Sequence, residues 1–229
     1  MYRYRFAVLL GTLILMMLAM PLVVLCEPGI HSWLARAVLT GTLVIVLLSA
    51  VFAVAETRRT MIIVLALAVP PILMRLINMS ADEDHLRVGE HLWEVAFFVY
   101  AIAVLTRHLF RAKRVCFDTM CAAVCTYLLL GILWSMLYST LDIMHPGSFA
   151  FLPAEVAEPD RLRFDDERTV YAMYYSFVTL TTLGYGDIVP SSPMARMLAV
   201  LEALTGQLFL AVLVARLVGM TISQAIKRE

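Results

Sequence analysis

Charged side chains are scarce in this sequence. Asp, Glu, Lys and Arg together make up 16% of its 229 residues, against roughly a quarter in a soluble domain. The remainder is strongly apolar, with 62% of the chain hydrophobic. A compact soluble protein of this length would have too few polar side chains to cover that surface, so a soluble globular fold is excluded and a membrane is the expected solvent. The formal net charge is zero, which gives no electrostatic reason to expect nucleic acid as a partner. Cysteine is limited to Cys26, Cys116, Cys121 and Cys125. No CxxC pair occurs and no histidine stands at metal-ligand spacing, which argues against a disulfide framework or a zinc site. Cys121 and Cys125 share one helical face of an apolar stretch, where a thiol acts as a small hydrophobe. HExxH, a P-loop and a Ser/His/Asp grouping are all missing, and the five histidines (His31, His85, His91, His108, His145) are scattered near loops and span ends. The chain is therefore not expected to be an enzyme or to need a cofactor.

What the sequence has in abundance is long hydrophobic runs. A span needs about 20 apolar residues to cross the hydrocarbon of a bilayer. Six segments reach that length, near residues 6–26, 33–55, 61–79, 92–110, 119–144 and 194–222. The first is too long for the core of a cleaved signal peptide, typically 7–15 residues, and reads as a retained span. The third carries Pro70-Pro71 at its centre, where a kink is expected. A seventh apolar helix, near residues 170–182, is too short to cross and is followed by a glycine-rich turn, as expected of a re-entrant segment. The expected fold class is an all-α membrane protein with six transmembrane helices, and with a re-entrant helix and loop between spans five and six.

Orientation follows from the basic residues. Arg3, Arg5, Arg58, Arg59, Arg107, Arg111, Lys113, Arg114, Lys227 and Arg228 collect on one side, which is then cytoplasmic with both termini. Asp82, Glu83, Asp84 and the segment 145–167 fall outside. Between Glu155 and Arg168 the chain carries six acids and three arginines, expected either to raise the local cation concentration or to form a solvated loop with no such effect.

Between the fifth and sixth spans the chain reads Tyr174-Tyr-Ser-Phe-Val-Thr-Leu-Thr-Thr-Leu-Gly-Tyr-Gly-Asp187. This resembles the pore loop of the potassium channel superfamily, whose filter signature is Thr-Val-Gly-Tyr-Gly. Here it is Thr182-Leu183-Gly184-Tyr185-Gly186, followed by the family's Asp187, with Leu183 the single departure. The chemistry explains the pattern. A dehydrated potassium ion exchanges water oxygens for stacked backbone carbonyls contributed by four chains. Carbonyls that all point at one axis require left-handed backbone angles, which glycine tolerates, so Gly184 and Gly186 are assigned to them. The resemblance implies coordination of K+, the permeant ion, by Thr182, Leu183, Gly184 and Tyr185, with Gly186 closing the filter. It further implies support from Asp187, Thr181, Tyr174 and Tyr175, with Tyr175 donating to Asp187, and a hinge at Gly206 in the last span. Residues 116–229 are then the pore domain and 1–115 a four-helix transmembrane domain of unassigned role. The implied functional unit is a homotetramer in the lipid bilayer of a bacterial-type inner membrane, conducting K+ passively. Two alternatives stand beside it: a weakly selective cation channel, and an accessory or sensor subunit that keeps the pore fold without conducting.

Ionisable residues at membrane depth are costly and usually functional. Glu202 lies one turn before Gly206. Some family members brace the filter aspartate with a glutamate on the pore helix, but the matching position here is Val178. Glu202 is therefore expected either behind the filter as a substitute brace, or facing the cavity, or in a structural hydrogen bond to a neighbouring helix. Arg216 is expected to snorkel to the cytoplasmic interface, and Arg75 and Glu94 either to pair or to snorkel. A voltage sensor needs arginine at every third position of a span, and the fourth span has no basic residue from Glu94 to Thr106. Weak or no voltage dependence is expected. The sequence stops about seven residues after the last span, so no cytoplasmic ligand-sensing module is expected. His85 and His91, beside Asp82–Asp84, are candidates for an external pH or divalent-ion sensor.

Overall fold

The computed structural model describes residues 5–24, 32–54, 58–81, 84–112, 115–151 and 168–226. Cys26, Asp82, Glu83 and the acidic segment up to Glu167 lie outside these residues, as do the side chains of Arg36, Arg75 and His85. The chain is almost entirely helical. The helices are α1 (Arg5–Val24), α2 (Ser32–Val54), α3 (Arg58–Ala81), α4 (Asp84–Arg111), α5 (Phe117–Met144), α6 (Arg168–Leu180) and α7 (Pro193–Ile226). Each expected apolar segment overlaps one of them, and α3 continues through both Pro70 and Pro71. Among the described residues, three stretches are long and apolar enough to cross a membrane: Arg87–Arg111, Phe117–Met144 and Pro193–Ile222. The other expected spans lie within α1, α2 and α3, where the described apolar stretches Arg5–Ala19 and Thr40–Val54 are shorter.

The expected all-α class needs one amendment. Two short strands, β1 (Phe149–Phe151) and β2 (Ile188–Pro190), pair antiparallel, with Ala150 opposite Val189. Ser191 N also donates to Ser148 O at 2.8 Å. This ribbon ties the end of α5 to the chain leaving the 181–187 loop. Neither strand has the length or alternation that marks a strand in sequence.

The helix α5 stands at the centre of the packing. It meets α4 and α1 on one side and α6 and α7 on the other. The larger core joins Phe6, Leu9 and Leu13 of α1, Leu43 and Leu47 of α2, Phe97 and Phe98 of α4, and Cys125, Leu129 and Ile132 of α5. A smaller core near the other end of α5 gathers Tyr138, Tyr175 and Ile188. By contrast α7 is left bare, with 11% of its apolar window buried against 61% for α5. Its start is well defined: Ser192 Oγ accepts the Ala195 amide at 3.2 Å and Pro193 occupies the first helical position, a capped helix entry.

Cys121 and Cys125 are buried, as their spacing suggested, whereas Cys116 is exposed at the head of α5. Hydrogen bonding to Thr119 holds the Cys116 thiol below its ordinary pKa, outweighing partial burial and the Asp118 charge. More thiolate means faster alkylation. In a Cys26→Ser background, maleimide is expected to modify Cys116 rapidly and to reach Cys121 and Cys125 only on unfolding. Peptide mapping that found Cys125 labelled as fast as Cys116 would contradict this packing.

Candidate functional site

The short helix α6 reaches the loop that sequence singles out, and its end is built to hold that loop. Thr181 N and Thr182 N donate to Phe177 O and Thr179 O at 3.1 and 2.9 Å. Leu183 N and Gly184 N then both fold back onto Val178 O, at 2.9 and 3.3 Å. The helix carbonyls orphaned at a C-terminus thus receive the first amides of the loop. Thr181 Oγ1 bonds Phe177 O at 2.6 Å.

Beyond that point the backbone alternates. Thr182, Gly184 and Gly186 have φ of 59°, 58° and 78°, while no positive φ falls at Leu183 or Tyr185. An ordinary strand turns successive carbonyls to opposite sides. Left-handed geometry at every second residue turns them to the same side. The two glycines occupy left-handed positions as expected. Thr182 was not foreseen there, because a β-branched residue with positive φ is a strained outlier. Its hydroxyl bonds Thr181 O at 2.7 Å and accepts Gln207 Nε2 at 3.3 Å. Gln207 is a functional candidate that sequence reading missed; its position one residue after Gly206 was the available signal.

The other end of the loop is pinned by Asp187. Its Oδ1 accepts the Ile188 amide at 3.0 Å, and its Oδ2 accepts the Tyr174 hydroxyl at 2.7 Å. This corrects the expected donor: Tyr174 bonds Asp187, and Tyr175 does not. The reason is helical direction. Consecutive residues point about 100° apart on a helix, so only one of the pair can face the loop exit. Tyr175 faces inward and packs edge-on against Tyr138 and Phe149, with centroids 5.1 Å away in each case. Through Phe149 it braces the β-ribbon rather than the aspartate.

Gly206 meets a different constraint from the hinge role the resemblance suggested. A Cβ there would lie 2.6 Å from Leu180 O and 2.8 Å from Leu180 Cδ1. The absent side chain lets α7 touch the last turn of α6. Tyr127 of α5 holds that same carbonyl from another side, at 3.2 Å.

Glu202 is buried completely. Tyr138 of α5 donates to its Oε2 at 2.5 Å, and its Oε1 lies 2.5 Å from Ser176 Oγ of α6. Of the readings open to it, the observed contacts are hydrogen bonds to neighbouring helices. Its partners are on α5 and α6, and it does not bond Asp187. Glu94 of α4 is likewise buried.

Arg216, in the C-terminal third of α7, bonds the end of another helix. Its guanidinium donates to Leu109 O at 3.2 Å, Phe110 O at 2.6 Å and Ala112 O at 3.1 Å, and it lies 5.0 Å from the Phe110 ring centroid. These carbonyls belong to the C-terminus of α4 and the residue after it, where a cation complements the helix dipole. Arg216→Ala is expected to lower the unfolding free energy in detergent by about 1.5–3 kcal/mol, the scale of a charged hydrogen bond. Arg216→Lys is expected to recover only part of this, since an ammonium lacks the planar fork. An Arg216→Ala protein as stable as the parent would show that the contact carries no weight.

A family model described as "Ion channel" matches residues 122–223, from α5 to the C-terminal part of α7. Among curated proteins, Protein LctB of Bacillus caldotenax is 33% identical over 106 residues, covering 46% of this chain and 74% of that protein. Two-pore potassium channel 4 of Arabidopsis thaliana is 32% identical over 98 residues, covering 43% of this chain and 32% of the plant protein. A Voltage-gated potassium channel of Aeropyrum pernix is 34% identical over 61 residues, covering 26% of this chain and 19% of that channel. The chain thus spans about a third and a fifth of the latter two. No solved structure matches. The chain carries an ion-channel domain and belongs to the potassium channel superfamily.

Proposed function

We propose that this chain is one subunit of a homotetrameric, potassium-selective channel that conducts K+ passively across a cell membrane. The carrying observation is the alternating left-handed backbone at Thr182, Gly184 and Gly186, on a loop fixed at one end by α6 and at the other by Asp187. Carbonyls of Thr182, Leu183, Gly184 and Tyr185, with the Thr182 hydroxyl, would replace the hydration shell of K+, and Gly186 would close the filter. Asp187, Tyr174 and Thr181 support the loop directly, and Tyr175 supports it through the β-ribbon. The ion is the cargo, and no cofactor enters the proposal.

Assembly is argued from exposure. Residues 181–186 are all exposed in the single subunit. Irregular backbone at membrane depth is tolerated only against protein or a water-filled cavity. Further copies would cover the outward side chains Leu183 and Tyr185, which are 56% and 67% exposed, and would pack on the bare α7. Six crossings by α1–α5 and α7, α6 re-entrant and both termini cytoplasmic complete the topology, with residues 1–115 a four-helix domain and 116–229 the pore domain. Weak voltage dependence is part of the proposal, because α4 carries no basic residue from Glu94 to Thr106.

Flux into liposomes holding the purified chain tests this. Uptake of K+ in large preference to Na+ is the expected result. Equal uptake of the two ions would favour the weakly selective channel, and no uptake under any stimulus would favour the non-conducting subunit.

A further inference from the structure

The contact network around Glu202 has one proton too few unless the carboxyl supplies it. Three oxygen pairs lie within hydrogen-bond distance: Tyr138 Oη with Glu202 Oε2 at 2.5 Å, Ser176 Oγ with Glu202 Oε1 at 2.5 Å, and Ser176 Oγ with Gly131 O at 2.7 Å. Each pair needs a proton between its oxygens. Gly131 O is a carbonyl and has none. A tyrosine hydroxyl and a serine hydroxyl carry one each, which serves two of the three contacts. With an ionised Glu202, either Ser176 would face the carboxylate lone pair against lone pair, or it would turn to the carboxylate and leave Gly131 O opposed to a bare oxygen. All three groups are buried, with Glu202 and Ser176 at 0% exposure and Tyr138 at 1%. No bulk water is at hand to mend the count. An ionised carboxylate held among hydroxyls, away from solvent, is costly and ordinarily avoided by retaining its proton.

We infer that Glu202 is held as a neutral carboxylic acid which donates its proton to Ser176 Oγ, so that Ser176 donates onward to Gly131 O while Tyr138 donates to Glu202 Oε2. The chain of bonds runs from α7 through α6 to α5, and all donors and acceptors are then satisfied. Its place in the fold gives it a purpose. Ser176 sits in the middle of α6, two residues before Val178, whose carbonyl receives the Leu183 and Gly184 amides. Glu202 sits one turn before Gly206, which touches Leu180. The acid is a positioning residue that sets the roll and depth of α6, and through it the loop that α6 carries. This consequence for conduction rests on the channel reading above; the protonation state does not.

A glutamine supplies the same pattern as a protonated glutamate, with an N–H for Ser176 and a carbonyl oxygen for Tyr138. Infrared difference spectra of the full chain in liposomes at neutral pH, parent minus Glu202→Gln, are expected to show the carbonyl stretch of a protonated carboxyl group. That band is expected to move in Ser176→Ala, where the acid loses its acceptor. Glu202→Gln is also expected to keep K+ uptake and K+/Na+ preference within about twofold of the parent. Glu202→Leu and Ser176→Ala are expected to lose at least about tenfold of the preference, the factor that one lost buried hydrogen bond represents. Ser176→Ala keeps the test alive if the leucine variant does not fold. A difference spectrum showing only carboxylate bands, or a glutamine variant as impaired as Ser176→Ala, would overturn the inference. Should the parent carry no flux yet show the band, the channel reading fails and the protonated carboxyl stands.

Discussion

Liposomes carrying Gly184→Ala are expected to lose potassium uptake while the protein keeps its helical content by circular dichroism. Gly184 has φ +58°, and an alanine there meets no neighbouring atom within 4 Å. The penalty is therefore one of backbone conformation rather than crowding. A left-handed non-glycine residue costs roughly 1–2 kcal/mol, and a ring of four chains incurs it four times, roughly 4–8 kcal/mol in all. The cheaper escape is rotation to negative φ, which turns the adjacent carbonyl away from its neighbours and breaks the alternation across 182, 184 and 186. Helix packing elsewhere is untouched, so the loss is of conduction rather than of fold. Wild-type uptake and selectivity in this variant would remove the loop from the ion path.

Gly206→Ala is expected to act by another route, lowering both uptake and thermal stability in detergent. Its Cβ would collide with a backbone carbonyl, Leu180 O, at 2.6 Å. That carbonyl cannot swing aside freely, because Tyr127 Oη holds it and Thr182 follows two residues later. The helix α7 must instead back away from α6, at the roughly 1–3 kcal/mol typical of an overpacked site. A hinge would behave differently. Alanine is the stronger helix former, so a glycine kept only for flexibility would give a stiffer and equally or more stable α7. A raised melting temperature with altered gating would thus favour the hinge, whereas a lowered one favours close approach.

The helices α1–α4 and the helices α5–α7 meet at defined points: the core shared by α1, α4 and α5, and the Arg216 contact on the end of α4. Any stimulus sensed in the first four helices has a physical route to α7 through those contacts. The family match begins at residue 122, within α5.

Sequence alone determined a great deal here, for a clear physical reason. A hydrocarbon solvent forces each span to satisfy its own backbone hydrogen bonds, so apolar length maps directly onto helices. The expected segments fell within α1 to α7 to within a few residues. The loop was equally legible, because Gly-Tyr-Gly at 184–186 fixes where the backbone turns left-handed. What needed the tertiary structure were choices between faces and partners. Neither Tyr174 nor Tyr175 announces which of them faces Asp187; the roll of α6 on α5 decides it. Glu202 reads as a brace, a cavity residue or a helix-to-helix hydrogen bond until Tyr138, 64 positions away, and Ser176, 26 away, come to rest on it. Gly206 gives no sign in sequence of the close approach of Leu180 O beneath it. The positive φ of Thr182, its bond to Gln207, and the pairing of Phe149–Phe151 with Ile188–Pro190 carry no local pattern at all. Local sequence encodes where each helix runs along the chain, while long-range packing decides which side chain each helix presents to its neighbour.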